Sequence, residues 1–252
     1  MKESKVYLVS GNKKKAEEFL KILHGKLDIE LVDIDLPEFQ GSPEEITIHK
    51  CKSAYEKIKK PVFVEDTSLC FNAYNGLPGP YVKWFLKSVG AQGLYNMLEV
   101  YQDKSAYAVT LIGYYDETKM SEPIIFEGKI NGEIVKPRGE KGFSWDPIFK
   151  PNGYSSTFSE MDIDVKNQIS HRYLCLMKVL GLSRLHFTSV FKSINYSIYF
   201  KLNLIMFYKF KNGRIPSNSN LIISNFNNIG TIDNCTHKCG LAPNQKKKLH
   251  EE

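Results

Sequence analysis

Apolar and polar positions alternate between two periods along the first two-thirds of the chain. KVYLVS (5–10) sets β-branched and apolar residues side by side and predicts a strand. From Lys13 to Leu23, Ala16, Phe19, Leu20 and Leu23 recur at helical spacing. ELVDIDL (30–36) reads as a second strand. Ser42-Pro43-Glu44-Glu45 is a capping box with proline at the first helical position, and it opens a helix to about Ile58. PVFV (61–64) predicts a third strand, and Tyr81 to Tyr101 a helix broken near Gly90 and Gly93. SAYAVTLIGYYD (105–116) and PIIFEGKINGEIV (123–135) read as long antiparallel neighbours, and a last helix covers about Ser170 to Leu180. Interleaved helices and strands with a late run of strands predict an α/β fold: a mixed central sheet with flanking helices.

One place resists this pattern. In FVEDTSLCF (63–71) an apolar strand runs straight into Glu65 and Asp66, after which apolar residues resume. Burying two adjacent carboxylates requires compensation. The strand is expected to stop at Val64 and to leave the acids at the end of the sheet, where an α/β cleft forms.

Composition adds limits. The 252 residues suffice for one large or two small domains, and 42% hydrophobic with 25% charged residues is ordinary for a globular protein. The five cysteines are few and mostly isolated, which suits a reducing compartment rather than a disulfide framework. No secretory signal is visible at the N-terminus. Residues 1–185 carry 25 basic and 25 acidic side chains, whereas 186–252 carry 9 and 3, so the whole excess of +6 lies in the last part. That distribution argues against nucleic-acid binding by the main domain. The predicted division is therefore 1–185 as one domain and 186–252 as a basic, Asn-, Lys-, Ile- and Phe-rich extension, expected to be poorly ordered. Ile194 to Phe210 is interrupted by Lys201 and Asn203 and is too short an apolar run for a membrane span. Cys235, His237 and Cys239 form only a cramped, incomplete zinc pattern.

Five stretches carry candidate chemistry. SGNKKK (10–15) joins a strand to a helix, where free backbone N–H groups and three lysines make an anion site. It lacks P-loop spacing, and alone it also fits a plain surface turn. DLPEFQG (35–41) places Glu38 on a turn. Together with Asp66 it suits Mg²⁺, which takes one or two carboxylates plus phosphate oxygens. NGLPGPYVKWF (75–85) brings Lys83 just inside a helix. GFSWDPIF (142–149) offers Phe143 and Trp145 as a stacking face and Asp146 as an acceptor, although aromatics are more often core. KNQISHR (166–172) sets Lys166 and Arg172 at a helix start. Its adjacent Ser170 and His171 point to different faces and do not make a triad.

In this order and spacing the five stretches resemble the inosine triphosphate pyrophosphatase family, closest to its eukaryotic cytosolic branch, over roughly residues 4–182. The resemblance implies an elongated α/β fold with two lobes around an active-site cleft, a homodimer, and a cytoplasmic location. It implies hydrolysis of ITP, dITP and XTP to the monophosphate and pyrophosphate with Mg²⁺, for which Mn²⁺ substitutes. Carried over by position, Ser10, Gly11, Asn12, Lys13, Lys14 and Lys15 hold the triphosphate, with Lys50 and Lys83 also at the phosphates and Thr67 among the substrate-binding residues. Glu38 and Asp66 ligate the metal, and Asp66 and Lys15 are the catalytic residues. Phe143, Ser144, Trp145 and Asp146 line the nucleoside pocket, and Lys166, His171 and Arg172 contact the nucleotide including its base. Glu65 is expected to support the metal site or pair with a lysine. Two departures stand out: Ser144 where the family usually has glycine, and Val165 where an acidic residue commonly precedes the lysine. The competing readings are a nucleotide- or nucleic-acid-binding module with a basic tail, and a related pyrophosphatase for pyrimidine or modified nucleotides.

Overall fold

Strand β1 (Val6–Val9) lies parallel between β2 (Ile29–Val32) and β3 (Val62–Phe71). Helix α1 (Lys13–Leu23) links β1 to β2, and α2 (Pro43–Ile58) links β2 to β3. These are the parallel crossovers that a β–α–β pattern predicts. The remainder of the sheet is antiparallel. A two-residue β4 (Pro78–Gly79) pairs with β3, and after α3 (Val82–Asn96) the long strands β5 (Ser105–Tyr115) and β6 (Ile124–Ile134) and the short β7 (Phe149–Pro151) complete it. The order is β2-β1-β3-β5-β6-β7, with β4 beside β3. Helices α4 (Ile163–Ile169) and α5 (His171–His186) follow. The structure, a computed structural model, describes residues 5–140 and 143–186, all within the unit Met1–Phe187. The predicted extension lies outside the described residues apart from His186, as do the 194–210 stretch and the Cys235–His237–Cys239 pattern. Among the described residues no helix is long and apolar enough to cross a membrane.

The mixed α/β architecture is the predicted one, and local chemistry explains most of it. In α2, Ser42 accepts from the Glu45 amide while the Glu45 carboxylate accepts from the Ser42 amide, closing the capping box. Helix α3 kinks where predicted, at Gly90, whose φ of 67° suits glycine. It shows no second break at Gly93 and ends at Asn96 rather than Tyr101. The second strand stops at Val32, short of the predicted Leu36.

Two expectations are corrected. The strand begun by PVFV does not stop at Val64. It continues to Phe71, so Glu65 and Asp66 sit mid-strand and not at the sheet's end. The reason is pairing: β5 matches β3 over ten positions, from Val62 opposite Tyr115 to Phe71 opposite Ala106. The predicted last helix forms as α5, and a short helix not expected from the sequence, α4, precedes it; Ser170 is extended (φ −63°, ψ 159°) and separates the two. Lys166 and Arg172 therefore belong to different helices and do not share one helix start.

The core lies on both faces of this sheet. On one face α1 and α5 pack Phe19, Leu23, Cys175 and Leu176 against Leu8, Phe63 and Ile112. On the other, α2 packs Cys51, Ala54 and Tyr55 against Val9, Val62 and Val64. Farther along β3, α3 closes Leu69 and Phe71 under Val82, Leu94, Phe149 and Phe158. Full burial of a side chain such as Phe19 or Phe71 contributes about 1.5–3 kcal/mol. The polar run Glu65–Ser68 thus lies between two apolar ends of one strand. Helix α5 meets β6 at Gly128, where an added methyl would overlap the backbone of His171 and Cys175.

Candidate active site

The parallel pairing of β3 with β1 ends at Phe63, and its pairing with β4 begins at Leu69. Between them that edge of β3 has no strand neighbour among the described residues. Beside this gap, outside the carboxyl ends of β1 and β2, lies a cavity of about 540 Å³. It is the place where a sheet of this kind leaves a crevice. Every residue carried over from the sequence lines it: Ser10 to Lys15, Glu38, Lys50, Asp66, Thr67, Lys83, Phe143 to Asp146, Lys166, His171 and Arg172.

One end of the cavity is cationic. Asn12 caps α1, its side chain accepting from the Lys15 amide, and Ser10 Oγ accepts from the Asn12 amide. Lys13 is exposed near Asp33, whereas the Lys14 ammonium lies 5.9 Å from the Phe143 ring centre. The Lys15 ammonium is 3.9 Å from Glu65. Burial pulls the Lys15 pKa down, against the pull of Glu65 and Asp66.

The two strand carboxylates have different partners because successive residues of a strand face opposite sides. Asp66 turns toward α2, where the Lys50 ammonium reaches its Oδ1 at 2.7 Å and Glu38 Oε2 at 3.0 Å. Lys83 reaches Glu38 Oε1 at 2.5 Å. Burial raises the Glu38 carboxyl, but Lys83 and Lys50 more than offset it and hold it below the usual range. Glu65 turns toward α5. Arg172 grips it with two bonds, from Nε at 2.9 Å and from Nη2 at 2.8 Å, and Thr67 donates to it at 3.0 Å. Burial alone would raise the Glu65 carboxyl, yet Arg172 and Lys15 bring it below the ordinary value. The compensation expected of a lysine is thus mainly an arginine.

The other end is aromatic and buried. Trp145 is 4% exposed and packs against Phe149, Phe158 and His171. It is largely core, as aromatics usually are. Phe143 is only partly buried. Ser144 stands between them at φ 65°, a left-handed conformation that favours glycine. Asp146 accepts from Lys166 at 2.7 Å and from the Phe143 amide at 3.2 Å. Burial nonetheless raises its pKa. His171 is fully enclosed. Burial first, then Arg172, Lys166 and Lys15, push its pKa well below the usual imidazole value, so the ring is neutral at pH 7. Among the described residues its Nδ1 has no hydrogen-bond partner, and neither do the two side-chain polar atoms of Asn167. Val165 is 44% exposed on α4 and does not line the cavity.

Two contributors were not singled out in the sequence. Glu18 accepts from Lys166 at 2.9 Å and also from Arg172, tying α1 to both later helices. Its spacing three residues after Lys15, on the same helix face, is the signal that marks it. Tyr81 joins its hydroxyl to Gly41 N and O at 3.3 and 3.4 Å, tying the Glu38 loop to the start of α3.

The donor set fits a hard divalent cation. A single ammonium already spans Glu38 and Asp66, so one small cation can contact both. No cluster of three or more His, Cys, Asp or Glu suited to a metal occurs among the described residues. Two carboxylates with the remaining positions left to water and phosphate oxygens would suit a hard divalent cation held in part by substrate, not a closed structural site.

A lysine-bearing strand–helix turn, paired carboxylates and an enclosed aromatic end meet in one cavity of an α/β protein, an arrangement suited to a nucleotide. The family model described as the Ham1 family matches residues 6–181, and the chain belongs to that family of nucleotide pyrophosphatases. Among solved structures, the Staphylococcus aureus Ham1 protein is similar at 27% identity and a TM-score of 0.63, over 72% of this chain and 99% of that one. A HAM1 protein from Coxiella burnetii matches at 27% and 0.65, over 72% and 98%. A nucleoside-triphosphatase / dITP/XTP pyrophosphatase from Mycobacterium abscessus matches at 26% and 0.56, over 70% and 98%.

Proposed function

We propose that the chain hydrolyses ITP, dITP and XTP to the nucleoside monophosphate and pyrophosphate, and so removes deaminated purines from the nucleotide pool. The observation that carries this reading is the polarity of the cavity. Lysines and two metal-suited carboxylates stand at one end, and a buried aromatic end with directed donors stands at the other. A triphosphate carries about four negative charges, which the lysines and a cation must neutralise.

In this reading Ser10 to Lys15, Lys50 and Lys83 bind the phosphate chain, with Thr67 beside it, and Glu38 and Asp66 hold Mg²⁺. When bound, that ion neutralises phosphate oxygens and favours departure of pyrophosphate. Lys15, with its lowered pKa, reaches the phosphates from the helix start. Asp66 orients the water that attacks the α-phosphorus and accepts its proton. At the other end Lys166 uses two of its three donors on Glu18 and Asp146. Arg172 uses three of its five on Glu65 and Glu18. The acids therefore fix both side chains and leave donors for the 6-oxo group of hypoxanthine or xanthine. Adenine presents an amino group there and is opposed.

The test is to supply ITP, dITP, XTP and ATP with Mg²⁺ and to separate the products. Pyrophosphate and monophosphate are expected from the first three, and orthophosphate or equal turnover of ATP would sink the reading. Asp66→Asn should lower kcat by about a hundredfold or more while the protein stays folded, since one group for orientation and proton transfer is worth about that much. The family resemblance supports a homodimer, which sedimentation checks. The three described cysteines, Cys51, Cys70 and Cys175, are free and buried, in keeping with a cytoplasmic setting.

A further inference from the structure

Lys50 occupies a position that a metal ion would also take. Its ammonium touches the two carboxylates together, Asp66 Oδ1 at 2.7 Å and Glu38 Oε2 at 3.0 Å. The side chains of Lys50 and Asp66 are each 12% exposed, so this contact is largely withdrawn from water. Lys83, on the other side, contacts Glu38 but is not paired with Asp66 among the described residues, and it is half exposed. Two carboxylates facing two ammonium groups are already balanced in charge. A divalent ion entering alone must displace Lys50 and leave two uncompensated positive charges beside it. Their repulsion is poorly screened in a covered site. A polyphosphate reverses this balance. Its oxygens offer Lys50 and Lys83 charge-assisted hydrogen bonds and bring several negative charges at once. The carboxylates are then free to bind a cation.

We propose that Lys50 is an internal counter-cation: it keeps bare divalent ions off Glu38 and Asp66 and releases those carboxylates when a polyphosphate arrives. Metal and polyphosphate then bind as a coupled pair, each tightening the other by the same factor. Naming the polyphosphate as a nucleotide rests on the pyrophosphatase reading, but the lysine–carboxylate geometry does not.

The experiment is equilibrium dialysis of Mn²⁺ against the full chain, with and without inorganic tripolyphosphate, reading the manganese held on the protein side. The wild type should bind Mn²⁺ weakly alone and at least about tenfold more tightly with tripolyphosphate. Lys50→Met should bind Mn²⁺ alone at least about tenfold more tightly than wild type, because the competing ammonium is gone. Lys50→Arg, which keeps the charge, should bind as weakly as wild type, and Lys83→Met should change affinity less than Lys50→Met. Equal Mn²⁺ affinity in wild type and folded Lys50→Met overturns the proposal. If Lys50→Met does not fold, the wild-type coupling decides, and its absence is equally fatal. A chain that shows the coupling but releases no pyrophosphate from any nucleotide keeps the counter-cation and loses the pyrophosphatase reading. A chain that releases pyrophosphate without the coupling does the reverse.

Discussion

Ser144 holds a left-handed backbone at φ 65° without being glycine. The conformation costs an L-residue about 1–2 kcal/mol, and glycine in its place gives back roughly 0.5–1 kcal/mol through the unfolded chain. Ser144→Gly should therefore raise unfolding stability by about 0.5–1 kcal/mol, read from the urea midpoint at unchanged slope. His171 sets a pH dependence. In the unfolded chain an imidazole takes a proton near pH 6.5, while the buried ring resists it. Between those two points the unfolded chain binds more protons, so stability rises with pH there. The contribution is complete above the unfolded value and is lost as pH falls toward the folded one. Thermal midpoints should drop from pH 7.5 to pH 5, and less so in His171→Gln; parallel curves would show that His171 is not the group responsible. These are features that a local motif suggests but cannot measure. The glycine-like position of Ser144 was visible in the motif, whereas the enclosure of His171 comes from Trp145 and Phe158, which no nearby residue announces.

At the scale of elements, legibility followed the range of the forces. The capping box of α2 lies within four residues and was readable directly. The two long strands declared themselves by their length. The course of β3 through Glu65 and Asp66 was not readable, because what compensates them is remote. Lys50 lies 16 residues before Asp66, and Arg172 lies 107 residues after Glu65. The same holds for the seat of α5. Gly128 lies mid-strand in β6 with the start of that helix pressed upon it. Gly128→Ala should overpack this contact and cost about 1–3 kcal/mol, occasionally more. It should also lower activity, because His171 and Arg172 ride on the displaced turn. A urea titration beside the product assay checks both, and a variant unchanged in each would refute the close approach as a determinant of the site.

For the molecule as a whole, charge and topology agree about where the work is done. Residues 1–185 carry no net charge, yet six of their lysines line one cavity beside Glu38, Glu65, Asp66 and Asp146. The site draws on residues from the first strand–helix turn to the last helix, so the candidate residues could be named from sequence while their convergence could not. The described residues run through α5 to His186, and the family match ends at residue 181. A chain ending at Phe187 should thus keep its cooperative unfolding and its turnover of ITP, with no salt-dependent affinity for RNA. Loss of turnover on truncation would assign the extension a role in the site.

The back-to-back placement of Glu65 and Asp66 also makes β3 behave as a reading frame. Sliding the strand by a single residue would turn the arginine's carboxylate toward α2 and the lysine's toward α5. Neither would then meet a partner of matching reach. Insertions and deletions should therefore be tolerated in turns away from the cavity but not between Val62 and Asp66, where one added residue is equivalent to exchanging both acids at once.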